Sequence, residues 1–325
     1  MEHQQLLDYV KQQRENGASD ERIRAALLEA GWNETTVNDA LTVVTGAALN
    51  RAAKLAGPGE LLAKAWDMYR ARAATLIGIA VVQYAAAALA AGFVFGAGFA
   101  GIELFKVDDV PFLALVVGGV LLFAVVIVIQ LWSQLALVYA LLHREQKMGM
   151  GQALRAAWPN VPSFLWINVL MLWVVLGGLA LFLIPGILFS VWFLFSIFAF
   201  VLENARGMRA LYVSKAYVQG RWWGVVGRLL CIVGLAALGG LIASVPATFG
   251  GVPFVGEIAN VVFGILLMPL FAAYVFALYE SARAVRGPVS DVPTRGQVAR
   301  FVLVGVLGSA AFAAIAYEFF TIASL

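Results

Sequence analysis

The sequence predicts an all-α fold: a polytopic membrane helical bundle of about seven spans, with a small three-helix soluble domain in front. Three observations predict it. The 325 residues are 62% hydrophobic and 13% charged, against roughly 45–50% apolar content in soluble domains. Uncharged runs recur that are long enough to cross a bilayer, which takes about 20 residues at 1.5 Å each. The charged residues collect in residues 1–46 and in short segments between the apolar runs.

Residues 1–46 contain no apolar core of the kind a secretory signal needs, so this end is expected to stay in the cytoplasm. Leu6, Leu7 and Val10 share one face of a first helix that stops near Gly17. Ser19 caps a second, carrying Ile23, Ala26, Leu27 and Ala30 and ending at Gly31. Asn33 caps a third, with Val37, Ala40 and Leu41 inward and Trp32 at the joint. The pattern LLxYV…GxSDERIRAALLEAGW…VxxAL resembles the ubiquitin-associated (UBA-like) three-helix fold. The resemblance implies a small module that docks a cytosolic protein. Ubiquitin-binding members carry a Met-Gly-Phe/Tyr loop where this chain reads Glu15-Asn16-Gly17-Ala18-Ser19. A spacer with no partner is the alternative.

Residues 47–58 read as a linker that stops at Gly57-Pro58-Gly59. Residues 60–72 put Leu61, Leu62, Ala65, Trp66, Met68 and Tyr69 on one side of a helix and Glu60, Lys64, Asp67 and Arg70 on the other, the pattern of a helix lying in the headgroup plane. A first span follows over about 73–95. It carries Ala88, Gly92, Gly96 and Ala100 at intervals of four, the pattern of a helix-packing seam. A loop bearing Glu103, Lys106, Asp108 and Asp109 leads to a second span over about 112–142. A second surface helix over 148–158 precedes spans three and four at about 163–183 and 187–202, which are joined by a tight turn at Pro185-Gly186. Residues 207–220 form a third surface segment, in which Lys215 falls on the apolar side and must snorkel. Spans five (about 225–245), six (about 260–283, with a kink at Met268-Pro269) and seven (about 298–320) complete the chain.

The surface helices repeat. Gly59, Leu62 and Trp66 align with Gly151, Leu154 and Trp158, and the third segment matches at Ala210-Leu211 before Trp222-Trp223. Three units are therefore expected at 59–142, 150–205 and 207–286, each an interfacial helix followed by a membrane hairpin, with a last helix at 298–320. With these spans, every one of the 22 Lys and Arg residues except Lys106 falls on the side of the N-terminus. The positive-inside rule then gives a multi-pass protein of the cytoplasmic (inner) membrane with a cytoplasmic N-terminus and an external C-terminus.

At Pro185-Gly186, Glu203, Ala210-Leu211, Ser214, Gly220 and Trp222-Trp223 the chain resembles the YciC-like group, related to the membrane domain attached to some glycerophosphodiester phosphodiesterases. The resemblance covers about residues 59–290. It implies six membrane helices and a role near the cell envelope. The seventh span and the UBA-like front depart from it, and the catalytic barrel of the phosphodiesterases has no counterpart here.

Polar side chains within spans are costly and mark candidate sites. Gln83, Gln130, Ser133, Gln134 and Asn168 either line a polar cavity or hydrogen-bond helices together. Glu203, Arg206, Arg228, Glu280 and Arg283, near span ends, are candidates for partly buried ion pairs. Trp66, Trp158, Trp222 and Trp223 read as interfacial anchors. The lone Cys231 and the two histidines, His3 and His143, offer no multi-cysteine or histidine metal cluster. No phosphate-binding loop, catalytic triad, cofactor motif or dense basic run is present, so neither an enzyme nor a nucleic-acid partner is predicted. The expected role is membrane or envelope organisation through lipid and protein contacts. A transporter or channel for a small amphiphile or lipid is the alternative. The oligomeric state has no signature in the sequence.

Overall fold

The computed structural model describes residues 2–15, 18–52, 54–104, 112–142, 148–249, 255–289 and 292–323. Among them all regular secondary structure is helical, and seven helical segments are long and apolar enough to cross a membrane: Ala73–Gly96, Val117–Leu142, Met150–Leu181, Leu183–Leu202, Trp222–Ser244, Ile258–Arg286 and Arg295–Ala314. This is an integral, multi-pass membrane protein.

The chain divides into two compact units, Met1–Leu55 with Glu280–Ser290, and Ala56–Tyr279 with Asp291–Leu325. In the first, helices α1 (Glu2–Glu15), α2 (Asp20–Glu29) and α3 (Glu34–Ala52) enclose a core of Leu6, Val10, Ile23, Leu27, Val37, Ala40, Leu41 and Val44. The caps are the expected ones. Ser19 Oγ accepts from Arg22 N at 3.4 Å and Asn33 Oδ1 from Thr35 N at 2.9 Å. Gly31 turns the chain at φ +85°, letting Trp32 N reach back to Leu27 O at 3.1 Å. The expected linker from residue 47 is a correction: α3 continues to Ala52, because Gly46 is followed by Ala47, Ala48 and Leu49, which favour helix.

In the second unit, α4 (Pro58–Ala71) leads into α5 (Ala73–Leu104) and α6 (Phe112–Leu142). Next, α7 (Met150–Ala157) runs through a short 3-10 turn at Trp158–Asn160 into α8 (Val161–Leu181). Pro159 and Pro162 fit because each occupies a first turn, where its missing N–H would have had no helical partner. Then come α9 (Leu183–Trp192), α10 (Ser196–Leu202), α11 (Met208–Val218), α12 (Trp222–Phe249), α13 (Val255–Arg286) and α14 (Arg295–Ala323). A short helix thus precedes the first, third and fifth spans. The first two also share a start: Gly57 N donates to Glu60 Oε2 and Gly149 N to Gln152 Oε1, both at 3.1 Å and at the same offset as the sequence match.

Four expectations are corrected. The third short helix, α11, is not a surface helix: Ala210, Leu211, Val213, Ser214, Ala216, Tyr217 and Val218 are buried, since its apolar residues nearly encircle it. The reversal after span three falls at Phe182, which is extended at φ −160°, ψ 149°, while Pro185 and Gly186 lie in the first turn of α9. Gly186 has an ordinary φ and serves close packing instead; a Cβ there would stand 2.3 Å from the Leu179 side chain. Among the described residues, the small-residue stripe on α5 forms no seam. Ala88, Gly92 and Gly96 are exposed, and a Cβ on either glycine would meet nothing within 4 Å, because α5 meets α6 through Phe93 over Gly118 and Gly119. A close backbone seam instead joins α8 to α14, where a Cβ at Gly308 would stand 2.1 Å from Gly177 Cα. Finally, span four is two helices rather than one. At the other proline, α13 runs unbroken through Pro269.

Lys106, Asp108, Asp109 and His143, and the side chains of His3, Ala100 and Glu103, lie outside the described residues.

Candidate functional site

The interruption of span four brings a buried polar group to freed backbone. Between α9 and α10, Phe193–Phe195 turn out of the α-helical pattern, which frees backbone groups inside an apolar segment. Ser214 of α11 meets them. Its Oγ accepts from Phe195 N at 3.0 Å and donates to Trp192 O at 2.6 Å. Ser214 is fully buried, and Phe193 and Phe195 pack into the core beside it. Sequence reading gives no warning of the break, because Phe193-Leu194-Phe195 contains neither Gly nor Pro.

At the C-terminal end of α10, the carboxylate of Glu203 collects two buried phenols. Tyr217 of α11 and Tyr279 of α13 both donate to Glu203 Oε1, at 2.5 and 2.6 Å. The two rings meet edge to face at 5.4 Å, and Tyr279 stacks on Phe198 at 5.2 Å. A single carboxylate oxygen thereby ties three helices together. Neither tyrosine was singled out by sequence reasoning; the available signal is a phenol on the apolar side of a buried helix, which demands a partner. Two backward turns set the geometry. Asn204 (φ +48°) and Gly207 (φ +55°) reverse the chain between Glu203 and α11, and Gly220 (φ +80°) reverses it before α12.

Lys215, also on α11, follows the expectation in its stem and departs from it at its tip. Its Nζ stands 4.3 Å from the Trp192 ring centre and 5.3 Å from that of Phe301. Burial, and then the nearby Arg300 charge, hold its pKa below the ordinary lysine value.

The polar residues within the spans make the following contacts. Gln83 and Gln130 clasp α5 to α6 reciprocally: Gln130 Nε2 donates to Gln83 O at 3.1 Å, and Gln83 Nε2 to Gln130 O at 3.4 Å. Gln83 Oε1 and Ser133 Oγ are buried without a hydrogen bond. Gln134, one turn beyond Gln130 on α6, is exposed. Asn168 turns back on its own helix, donating to Phe164 O at 2.9 Å.

Of the span-end charges, Arg206 and Arg228 donate to hydroxyl and backbone oxygens. Arg206 is exposed, donates to Ser163 Oγ at 3.0 Å and lies 5.5 Å over Phe200. Arg228 donates through Nε to Ala56 O at 2.6 Å and through Nη1 to Gly224 O at 2.8 Å, linking α12 to the approach to α4. Glu280 and Arg283 are half-buried near the end of α13 and fall in the first unit, whereas Glu203, Arg206 and Arg228 fall in the second.

The tryptophans hold peripheral positions. Trp66 is half exposed and stacks on Tyr69; Trp158 is exposed and meets Trp132 edge-on, whose Nε1 donates to Leu154 O at 2.7 Å. Trp222 is half-buried against Trp223, which is 80% exposed. Two concavities of the second unit adjoin these side chains. One, of about 550 Å³, lies between α4, α12 and α13 beside Trp66; the other, of about 520 Å³, lies between α9 and the Trp222-Trp223 pair. The residues lining both are apolar. Among the described residues, no group of three or more His, Cys, Asp or Glu stands where it could hold a metal ion.

No protein-family model, curated protein or solved structure matches the chain.

Proposed function

We propose that this integral membrane protein organises the membrane through lipid and protein contacts and carries out no catalysis. The observation behind the reading is how the polar groups within the membrane unit are used. The Gln83–Gln130 clasp, the Ser214 staple and the Glu203–Tyr217–Tyr279 node each fasten helices to one another, while the two concavities beside the tryptophans are lined by apolar residues. A scaffold uses its polar groups for cohesion and presents apolar surface to lipid; a solute path needs polar groups facing open space. The distribution of Lys and Arg supports a cytoplasmic membrane location with the N-terminus inside. The core of α1–α3 supports a UBA-like module facing a cytosolic partner. Glu203, Ser214 and Gly220 all have structural work around α11, and that supports kinship with the YciC-like group.

One observation favours the transport reading. Discontinuous helices often mark the substrate sites of transporters, and span four is discontinuous. Here, however, the break is filled by Phe193, Phe195 and Ser214, all buried. Native mass spectrometry of the purified full chain tests the scaffold reading by detecting retained phospholipid and a defined oligomer or protein partner. Flux of an amphiphile or lipid across vesicles that depends on the protein would overturn it.

A further inference from the structure

We propose that the concavity between α4, α12 and α13 is a binding groove for one acyl chain of a membrane phospholipid, an inference that rests on the lipid-contact reading and deepens it. On α12, Ile232, Leu235 and Gly239 line it at spacings of three and four, so they form one stripe of the helix. On α13, Phe263, Leu267 and Leu270 form the facing stripe. Both stripes lie inside spans long and apolar enough to cross the bilayer, so the occupant enters sideways from the hydrocarbon.

The third wall sets the kind of occupant. Helix α4 is amphipathic: Gly59, Leu62, Ala63 and Trp66 line the groove, Leu61, Ala65, Met68 and Tyr69 are buried, and Lys64, Asp67 and Arg70 are exposed outside the lining. A helix of that character lies at headgroup level with its apolar side toward the acyl chains. The groove therefore runs from a headgroup-level helix along two spans, the layout of a lipid with its polar end beside α4 and one chain against α12 and α13. Its volume of about 550 Å³ falls within the range of about 300–1,000 Å³ typical of small-molecule sites.

Two glycines keep the space open. A Cβ at Gly59 would meet nothing within 4 Å, so that wall is set back. A Cβ at Gly239 would stand 2.4 Å from the Phe263 ring, so the floor is as low as the two helices allow. An acyl chain already surrounded by hydrocarbon gains no hydrophobic free energy on entering. The groove must hold it by shape and dispersion, and the preference over bulk lipid is correspondingly modest.

The test uses the full chain in phosphatidylethanolamine–phosphatidylglycerol vesicles containing a phosphatidylcholine with a diazirine midway along one acyl chain. After irradiation, cross-links are mapped to single residues. Labelling at Ala63, Leu235 and Leu267 is expected to saturate as the probe fraction rises, whereas labelling at the exposed Leu241 and Ile242 rises in proportion. Ala63→Phe, at an exposed position, is expected to lower the saturable labelling about fivefold. Leu235→Trp narrows the groove from α12 and should act alike if Ala63→Phe fails to fold, while Leu238→Trp, outside the groove on the same helix, should not. Proportional labelling within the groove, or saturable labelling that neither filling variant lowers, overturns the proposal. So does saturation by a diazirine fatty acid without saturation by the phospholipid. Saturable labelling in a protein that also moves lipid across the vesicle would leave the groove standing and overturn only the scaffold reading.

Discussion

Replacing Ser214 by alanine removes both hydrogen bonds at the break in span four. In the native chain the hydroxyl accepts from Phe195 N at 3.0 Å and donates to Trp192 O at 2.6 Å. Ser214→Ala changes the packing volume little, so the loss is almost wholly polar. An orphaned buried N–H costs about 1–3 kcal/mol, and an under-satisfied carbonyl costs less. The expected loss is therefore about 2 kcal/mol, above the roughly 0.6 kcal/mol average for hydrogen bonds between membrane helices, where alternative partners exist. Ser190→Ala is the internal comparison. Ser190 is exposed and its hydroxyl bonds back to Ile187 O at 2.8 Å, so this change should stay within about 0.5 kcal/mol. Reversible unfolding followed by tryptophan fluorescence reads the difference, and hydrogen exchange gives a second readout: opening at Phe195 should become about thirtyfold more frequent in Ser214→Ala. Equal stability of the two variants would refute the idea that Ser214 sustains the break.

Tyr217→Phe and Tyr279→Phe should each cost about 1.5–3 kcal/mol, and the double variant should cost less than their sum because both phenols address the same oxygen of Glu203; strict additivity in denaturation would refute a shared node. Gln130→Leu should destabilise by about 1 kcal/mol, Gln83→Leu by less because it also removes the unpaired Oε1, and the exposed Gln134→Leu negligibly, all by the same measurement. Lys215 gives a pH dependence of definite sign. Its native pKa is depressed, first by burial and then by Arg300, so above the native value the unfolded chain binds the extra proton. Stability therefore rises with pH until the ordinary lysine value is reached, and is flat below the native one. Lys215→Met should flatten that rise in melts recorded from about pH 8 to about pH 10.5, and an unchanged slope would exclude Lys215 as its source.

What was legible in the sequence follows the range of the interactions. The caps at Ser19, Gly31 and Asn33 are local chemistry, settled within four residues, and they stand where expected. The spans are legible because the bilayer demands length and apolarity, both of which one segment displays by itself. Misreadings occur where a residue's role is set by a distant partner. Gly92 and Gly96 and the pair Gly177 and Gly308 are all small residues within apolar helices. Only the second pair meets another backbone, and nothing nearby in sequence distinguishes them. Gly186 looked like half of a turn because Pro185 precedes it, yet its smallness is used across the hairpin by Leu179.

The same logic explains why α11 was misplaced. A helix bearing Arg209 and Lys215 reads as a surface helix when each charge is assumed to need water. Lys215 instead lies across Trp192 and Phe301, Ser214 faces a gap in another helix, and Tyr217 faces a carboxylate. These three polar groups on the helix have partners from segments that the local pattern could not supply. The break in span four and the burial of α11 are therefore one feature. Without the serine hydroxyl the turn at Phe193–Phe195 would leave backbone groups unmet in apolar surroundings. Without that turn, the fully buried hydroxyl would lose the backbone amide that bonds to it. Either element alone is unfavourable, and together they satisfy each other.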